Sequence, residues 1–225
     1  PDPLRADGPN QLWSWDITYL ATTIKGVYVY LYLLMDVFSR KIVGWEVYPN
    51  ESAAQASLLF RKTYLRVGIA GQELVLHSDN GSPMKGATML ATLQRLGVMP
   101  SFSRPSVSDD NPYSEALFKT LKYHPGFPEK PFDTLGEARE WVLGVARWYN
   151  EIHRHSALRF VTPGQRHRSE DIAILNQRHT LYQQARATRP GRWSGSTRDW
   201  TPASHVDLNP GKPAPKEVHP KQNAA

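Results

Sequence analysis

Apolar and polar positions alternate strand-fashion through residues 11–20, 27–36 and 40–48, stretches rich in Tyr, Trp, Val, Ile and Leu. The pattern predicts three consecutive strands, the second and third joined through Asp36-Val37-Phe38-Ser39-Arg40, short enough for an antiparallel hairpin. The period then lengthens: Ala53, Ala56, Phe60, Tyr64 and Val67 share one face of a predicted helix over 52–67, ended by Gly68 to Gly71. A buried strand at 73–77, a helix from about Met84 to Leu96 closed by Gly97, and a short strand at 98–102 follow.

The element order β-β-β-α-β-α-β-α predicts an α/β fold, a mixed five-stranded sheet flanked by helices of the ribonuclease H-like kind. Residues 101–112 are loop by composition. Asn111 is the expected N-cap and Pro112 the expected first residue of the next helix. On that helix Glu115, Lys119 and Lys122 share one face, while Leu117 and Leu121 point to the core. A helix over about 134–151 has Trp141, Val145, Trp148 and Tyr149 as its apolar side, and a shorter one runs from Pro163-Gly164 to about Gln184. The division expected is a linker at 1–9 from a missing upstream region, a core at 10–160, a helical extension at 161–188, and a Pro/Gly/Ser-rich basic tail at 189–225, extended or partly disordered. No internal repeat is present.

Composition narrows the chemistry. The 225 residues hold no cysteine, which excludes disulfides, thiolate zinc sites and cysteine nucleophiles and fits a cytoplasmic setting. No apolar run reaches the length of a membrane span, and no signal-peptide pattern opens the chain, whose Pro-Asp-Pro start suggests an excised domain. Residues 1–150 carry fifteen Lys/Arg against fifteen Asp/Glu, and residues 151–225 carry twelve against six. The formal charge of +6 therefore lies wholly in the last third. Such an extension favours an acidic polymer, with nucleic acid the obvious partner; the plainer alternative is a solvated tail.

Three carboxylates stand in contexts that charge alone does not explain. Asp16 interrupts Trp13-Ser14-Trp15-Asp16-Ile17-Thr18-Tyr19, although Asp is depleted in strands. Asp79 follows the apolar run Leu74-Val75-Leu76, within His77-Ser78-Asp79-Asn80-Gly81. Glu115 opens a helix after thirty-five intervening residues. Each alone has a plain reading: an edge-strand acid, a turn residue, a first-turn helix acid. Together, on strand, strand end and helix, they suit a magnesium-dependent phosphoryl-transfer site, in which hard cations take oxygen ligands. Asp36 is a rival first acid, but it ends a strand before a tight turn, where Asp bonds its own backbone. Asp109 and Asp110 rival Glu115 from a less rigid loop. Lys119 and Lys122 stand where DNA phosphates would pass, or form an ordinary solvated Glu–Lys face. No HxxxH or HExxH pair supports zinc, and no G-x-S-x-G elbow supports a serine hydrolase. His77 and His153 read as structural or DNA-facing residues. A glycosidase would leave the third acid and the lysines without a role.

Ordered motifs then point one way. Trp15-Asp16-Ile17-Thr18-Tyr19, the run Met35 to Trp45, His77-Ser78-Asp79-Asn80-Gly81-Ser82 and Ser101-Phe102-Ser103-Arg104-Pro105 are four of them. The runs Asp110 to Lys122 and Trp148 to Leu158 complete the set. Over about residues 10–168 the chain resembles the DDE transposase and retroviral-type integrase catalytic cores, most of all the bacterial insertion-sequence transposases with two overlapping reading frames. The resemblance implies a catalytic and metal-binding triad of Asp16, Asp79 and Glu115 holding two Mg²⁺ (or Mn²⁺) ions. It implies strand cleavage that exposes a 3′-hydroxyl, then attack of that hydroxyl on a target phosphodiester. Lys119 and Lys122 match lysines that contact DNA ends in retroviral relatives, and Asn80 and Arg104 are further candidate DNA contacts. Implied partners are element-end and target DNA, other copies of the chain in a synaptic complex, and an upstream helix-turn-helix region, with no membrane and with nucleoid association during action. The segment Ser108 to Tyr113 departs from the Gly/Cys/Trp-Asp-Asn-Ala sequence of close relatives, yet the Asn–Glu spacing is kept. A silent DNA-binding remnant and a ribonuclease H-type nuclease are the alternatives.

Overall fold

The alternating first fifty residues become an antiparallel meander in the computed structural model, which describes residues 4–104 and 111–208. After the short β1 (Arg5–Ala6) come β2 (Leu12–Ala21), β3 (Tyr28–Asp36) and β4 (Ile42–Tyr48). Next are α1 (Ala53–Val67), β5 (Val75–Ser78), α2 (Ser82–Lys85), α3 (Ala87–Leu96) and β6 (Met99–Phe102). Helices α4 (Pro112–Lys122), α5 (Leu135–Glu151), α6 (Pro163–His167) and α7 (Asp171–Thr188) lead to a last short strand, β7 (Val206–Asp207). The main sheet has the order β4-β3-β2-β5-β6, with the first three strands antiparallel and β5 and β6 parallel to β2. The expected mixed five-stranded sheet is present, with β2 at its centre.

Period-two alternation builds two cores. Trp13, Trp15, Tyr32, Leu34 and Val43 meet Phe60, Tyr64, Met89 and Leu93 of α1 and α3 on one face. Leu20, Leu31, Leu33, Met35 and Val47 meet Leu117, Leu121, Val142 and Tyr149 of α4 and α5 on the other. At the outer edge, Asn150 of α5 stands in for a missing strand: its Oδ1 accepts from Ile42 N and its Nδ2 donates to Ile42 O, both at 2.9 Å. Side-chain satisfaction of an edge blunts unwanted pairing there. No helix among the described residues is long and apolar enough to cross a membrane.

Three local expectations are revised. The helix expected from Met84 breaks at Gly86, whose backbone is extended (φ −60°, ψ 138°) and whose Cβ position would lie 2.4 Å from Ala53 Cβ. The close approach of α1 interrupts the helix. The segment from Arg189, expected as an extended or partly disordered tail, holds little regular structure through Leu208 but is anchored. Trp200 and Leu208 are buried, β7 pairs with β1, and Arg5 meets Asp207 at 2.8 Å. Its apolar anchors are too widely spaced to register as a period. Residues 5–6, expected as linker, are the other half of that pairing.

Gly44 lets α1 lie close against β4: an added Cβ would sit 2.2 Å from Thr63 Oγ1. We expect Gly44→Ala to lower stability by about 1–3 kcal/mol in urea denaturation, as overpacking does. Adding Thr63→Ala should recover part of that loss, and a strictly additive double mutant would refute the close approach.

Candidate active site

Sheet register brings the first two acids together. β2 and β5 run parallel with Trp15 opposite Ser78, so the next residues along are Asp16, on β2, and Asp79, just past the end of β5. Ser14, Asp16 and Thr18 alternate onto the face that α4 covers. The Asp16 carboxylate accepts a hydrogen bond from Ile17 N at 2.8 Å. Asp79 Oδ1 accepts from Gly81 N at 2.9 Å, an Asx-type turn that sets its direction. Asn80 donates to Ser103 O at 2.7 Å, tying the end of β5 to the end of β6. His77 is buried with Nδ1 3.0 Å from Ser101 Oγ, a structural placement between the same two strands.

The third acid is delivered by a polar clasp. Ser14 is fully buried; its hydroxyl donates to Asn111 Oδ1 and lies 2.6 Å from Ser114 Oγ, also fully buried. Asn111 Nδ2 donates to Trp15 O at 3.3 Å. Asn111 holds the N-cap position of α4 as expected, but its side chain makes no cap bond and reaches across to β2 instead. Glu115 follows in the first turn, exposed, where the helix dipole favours an acid. Lys122, further along α4, donates to Thr18 Oγ1 at 2.8 Å and lies 5.1 Å from the Tyr19 ring. Lys119 is exposed, and Arg104 is exposed just after β6.

Charge at this site is unbalanced. Burial pushes the Asp16 carboxyl up to about 7, and the nearby charges of Asp79, Glu115 and Glu51 push in the same direction against the Ile17 hydrogen bond. Asp16, Asp79 and Glu115 form no ion pair among the described residues. Nor do three His, Cys, Asp or Glu side chains among the described residues gather as a metal-binding group. The rival Asp36 is fully buried and committed elsewhere. It accepts from Asn10 N and Ser39 N at 2.8 Å each, and from the Ser39 hydroxyl, with His167 Nδ1 3.5 Å away. Asp109 and Asp110 lie outside the described residues. Ser14, Ser114 and Thr18 carry no signal in the sequence beyond their place on the same face as Asp16 or beside Glu115.

A central acid-bearing strand, a parallel neighbour and a clasped helix form an integrase-type core. The integrase core domain family matches residues 6–108, and a second integrase core domain family matches residues 96–163. Between them the two integrase core domain models match residues 6–163 of the chain. It is 33% identical over 165 residues to the transposase for insertion sequence element IS904 of Lactococcus lactis, covering 71% of this chain and 62% of that protein. To transposase InsF for insertion sequence IS3A of Escherichia coli it is 33% identical over 117 residues, covering 52% of this chain and 40% of that protein. The chain thus spans about half the length of the curated relatives it matches. The HTLV-2 integrase catalytic core domain in complex with magnesium (dimeric form) shares the fold at a TM-score of 0.52, with 16% identity, 71% of this chain and 97% of that one. A chain of the simian T-cell lymphotropic virus intasome in complex with a PP2A regulatory subunit gives 0.56 and 17%, over 74% and 57%.

Two outcomes follow from this geometry. Asp16 titrates at about 7 folded against 3.8 ordinarily, so its charge costs stability that accumulates as pH rises from about 4 to 7. Asp16→Asn should therefore raise the metal-free melting temperature more at pH 8 than at pH 5, and an equal shift at both would refute the coupling. Asn111→Ala leaves the Ser14 hydroxyl and Trp15 carbonyl short of a partner and should cost about 1–3 kcal/mol in chemical denaturation. A loss under about 0.5 kcal/mol, the level of an ordinary surface change, would count against the clasp.

Proposed function

We propose that this chain is the catalytic core of a transposase that cleaves DNA strands at the ends of a mobile element and joins them to target DNA. The observation that carries the reading is electrostatic: the Asp16 carboxyl, on the central strand, is raised first by burial and then by the nearby charges of Asp79 and Glu115. A site that concentrates negative charge without an ion-pair partner is suited to a cation. Its donors are hard carboxylate oxygens, which fit magnesium or manganese. The transposase relatives support the reaction class, and the magnesium in the HTLV-2 integrase core supports the choice of ion.

Asp16, Asp79 and Glu115 would hold two such ions, with Glu115 turning in from its exposed position on α4. Bound ions supply Lewis-acid activation of the attacking oxygen and charge stabilisation at the scissile phosphate. Asp16 must shed its proton to serve as a ligand, so metal affinity should rise with pH. In the first step a water oxygen forms a bond to phosphorus and a 3′-oxygen leaves, exposing a 3′-hydroxyl. In the second that hydroxyl oxygen bonds to a target phosphorus and the target's own 3′-oxygen leaves. Lys119 and Lys122 would neutralise backbone phosphates of the element end, with Lys122 held by Thr18 two residues beyond Asp16. Asn80 would act chiefly by holding the β5 and β6 ends together, and Arg104 would add a phosphate contact at the same rim. Several copies would assemble on two DNA ends within the bacterial cytoplasm, guided by a helix-turn-helix region.

The test is strand transfer from a pre-cleaved, 3′-hydroxyl-ended duplex into plasmid with Mn²⁺. Joining is expected to require the metal and to fall at least a hundredfold in Glu115→Gln. Joining that survives the substitution would remove Glu115 from the site. Cleavage of RNA–DNA hybrids without joining would assign a ribonuclease H-type nuclease instead, and DNA binding with no turnover a silent remnant.

A further inference from the structure

The extension beyond α5 carries a charge surplus that its own folding does not consume. Residues 151–208 contain nine arginines and five acids. Every acid is engaged. Glu151 and Glu170 meet Arg168, Asp171 meets Arg166, Asp199 meets Arg159, and Asp207 meets Arg5. Arg154, Arg178, Arg186, Arg189, Arg192 and Arg198 are left with no carboxylate partner among the described residues. All but the half-buried Arg178, whose guanidinium donates to the Arg159 and Phe160 carbonyls, are exposed.

These six arginines occupy one neighbourhood. At about 100° per residue, Arg178 and Arg186 fall within roughly a quarter-turn of one another on α7, and Arg189 caps its C-terminal end. Tyr182, on that same side, packs against Trp193 and Trp200 of the returning chain, 5.9 and 5.3 Å between ring centres. Arg178 and Arg198 lie 5.4 and 5.5 Å from the Trp200 ring, and Arg198 also lies 5.3 Å from Phe160. Arg154 is close enough that its charge, added to burial, holds the Arg178 guanidinium below its usual range. A groove of about 430 Å³ opens between Ala185, Thr188, Arg189, Arg192 and Trp193. The helix contributes little to the core in return: only Asp171 and Leu175 of its eighteen residues are buried. A helix so largely exposed, with Tyr182 packed against Trp193 and Trp200, has a surface to present.

We propose that the exposed end of α7 bearing Arg186, continued through Arg189 and the returning segment Arg192–Trp200, is a second DNA-binding surface that grips the duplex backbone away from the carboxylates. The inference rests on the DNA reading above and adds where the duplex continues once it leaves the catalytic groove. Guanidinium groups match phosphate oxygens in charge and geometry. From Arg178 to Arg186 the helix rises about 12 Å, the length of about three to four base pairs. The two sites are joined mechanically, because the segment that carries Arg198 ends where Asp207 O accepts the Tyr113 hydroxyl at 2.6 Å. Tyr113 stands two residues before Glu115 on α4.

The test measures binding alone, with metal chelated, so that it stands apart from turnover. A fluorescent 30-base-pair duplex of arbitrary sequence is titrated with the full chain at several salt concentrations. The variant replaces Arg186, Arg189, Arg192 and Arg198 with Gln; a charge-matched control replaces the exposed Arg61, Lys62, Arg95 and Lys130. The four arginines should leave melting nearly unchanged, since they are exposed. Affinity at 0.1 M salt is expected to fall at least tenfold in the variant and less than threefold in the control. The slope of log affinity against log salt should drop by roughly 2–4, about 0.9 for each phosphate no longer neutralised. Equal losses in both proteins would reduce the effect to net charge and overturn the proposal. So would an unchanged variant, or a wild-type chain that binds no duplex. A chain that binds through this face yet joins no strands would sink the catalytic reading and leave the surface standing.

Discussion

Three buried polar groups hold the two halves of the sheet's chemistry together. The Ser14 hydroxyl, the Asn111 amide and the Ser114 hydroxyl satisfy one another between β2 and the start of α4. Apolar packing of Leu117, Phe118 and Leu121 supplies the attraction between helix and sheet. That attraction is tolerant of sliding, whereas the hydrogen bonds accept one register. Because Asp16 and Glu115 each stand close in sequence to a member of the clasp, the register of helix on sheet becomes the spacing of two charges. The parallel pairing of β2 with β5 does the same for Asp79.

Stability and function pull against each other at Asp16. A carboxylate half-buried beside other acids is unfavourable in the folded protein, and its raised affinity for a proton expresses that cost. The surrounding structure tolerates it because the strand is central and paired on both sides. Asp36 shows the opposite solution: a fully buried acid with its oxygens occupied by backbone and hydroxyl donors, serving the β3–β4 turn. Two Asp residues on neighbouring strands thus differ in role through the donors each finds within reach.

Much of this was legible before the structure. Strand patterning near Trp13, Tyr30 and Val43 exposed the meander, and the change of period at Ala53 marked α1. The three acids could be singled out because each sits at a position its local element does not require. The details that escaped depend on partners remote in sequence. Gly86 breaks a helical pattern because of Ala53, thirty-three residues earlier. Asn111 has the signature of an N-cap, yet Ser14 and Trp15 compete for its side chain and win. The stretch from Arg189 to Leu208 lacks any period, and the burial of Trp200 and Leu208 with the pairing of β7 to β1 shows that it is held.

The pairing of β1 with β7 has a further consequence. Arg5 faces Asp207 and Ala6 faces Val206, so the two strands enter and leave their little ladder at the same end. Tension applied between residue 4 and residue 208 therefore peels that ladder open like a zipper, one hydrogen bond at a time. The central sheet carries no load until it has gone. Yielding begins at the seam, and Tyr113 loses its hold on Asp207 while β2, bearing Asp16, and β5, leading to Asp79, remain whole.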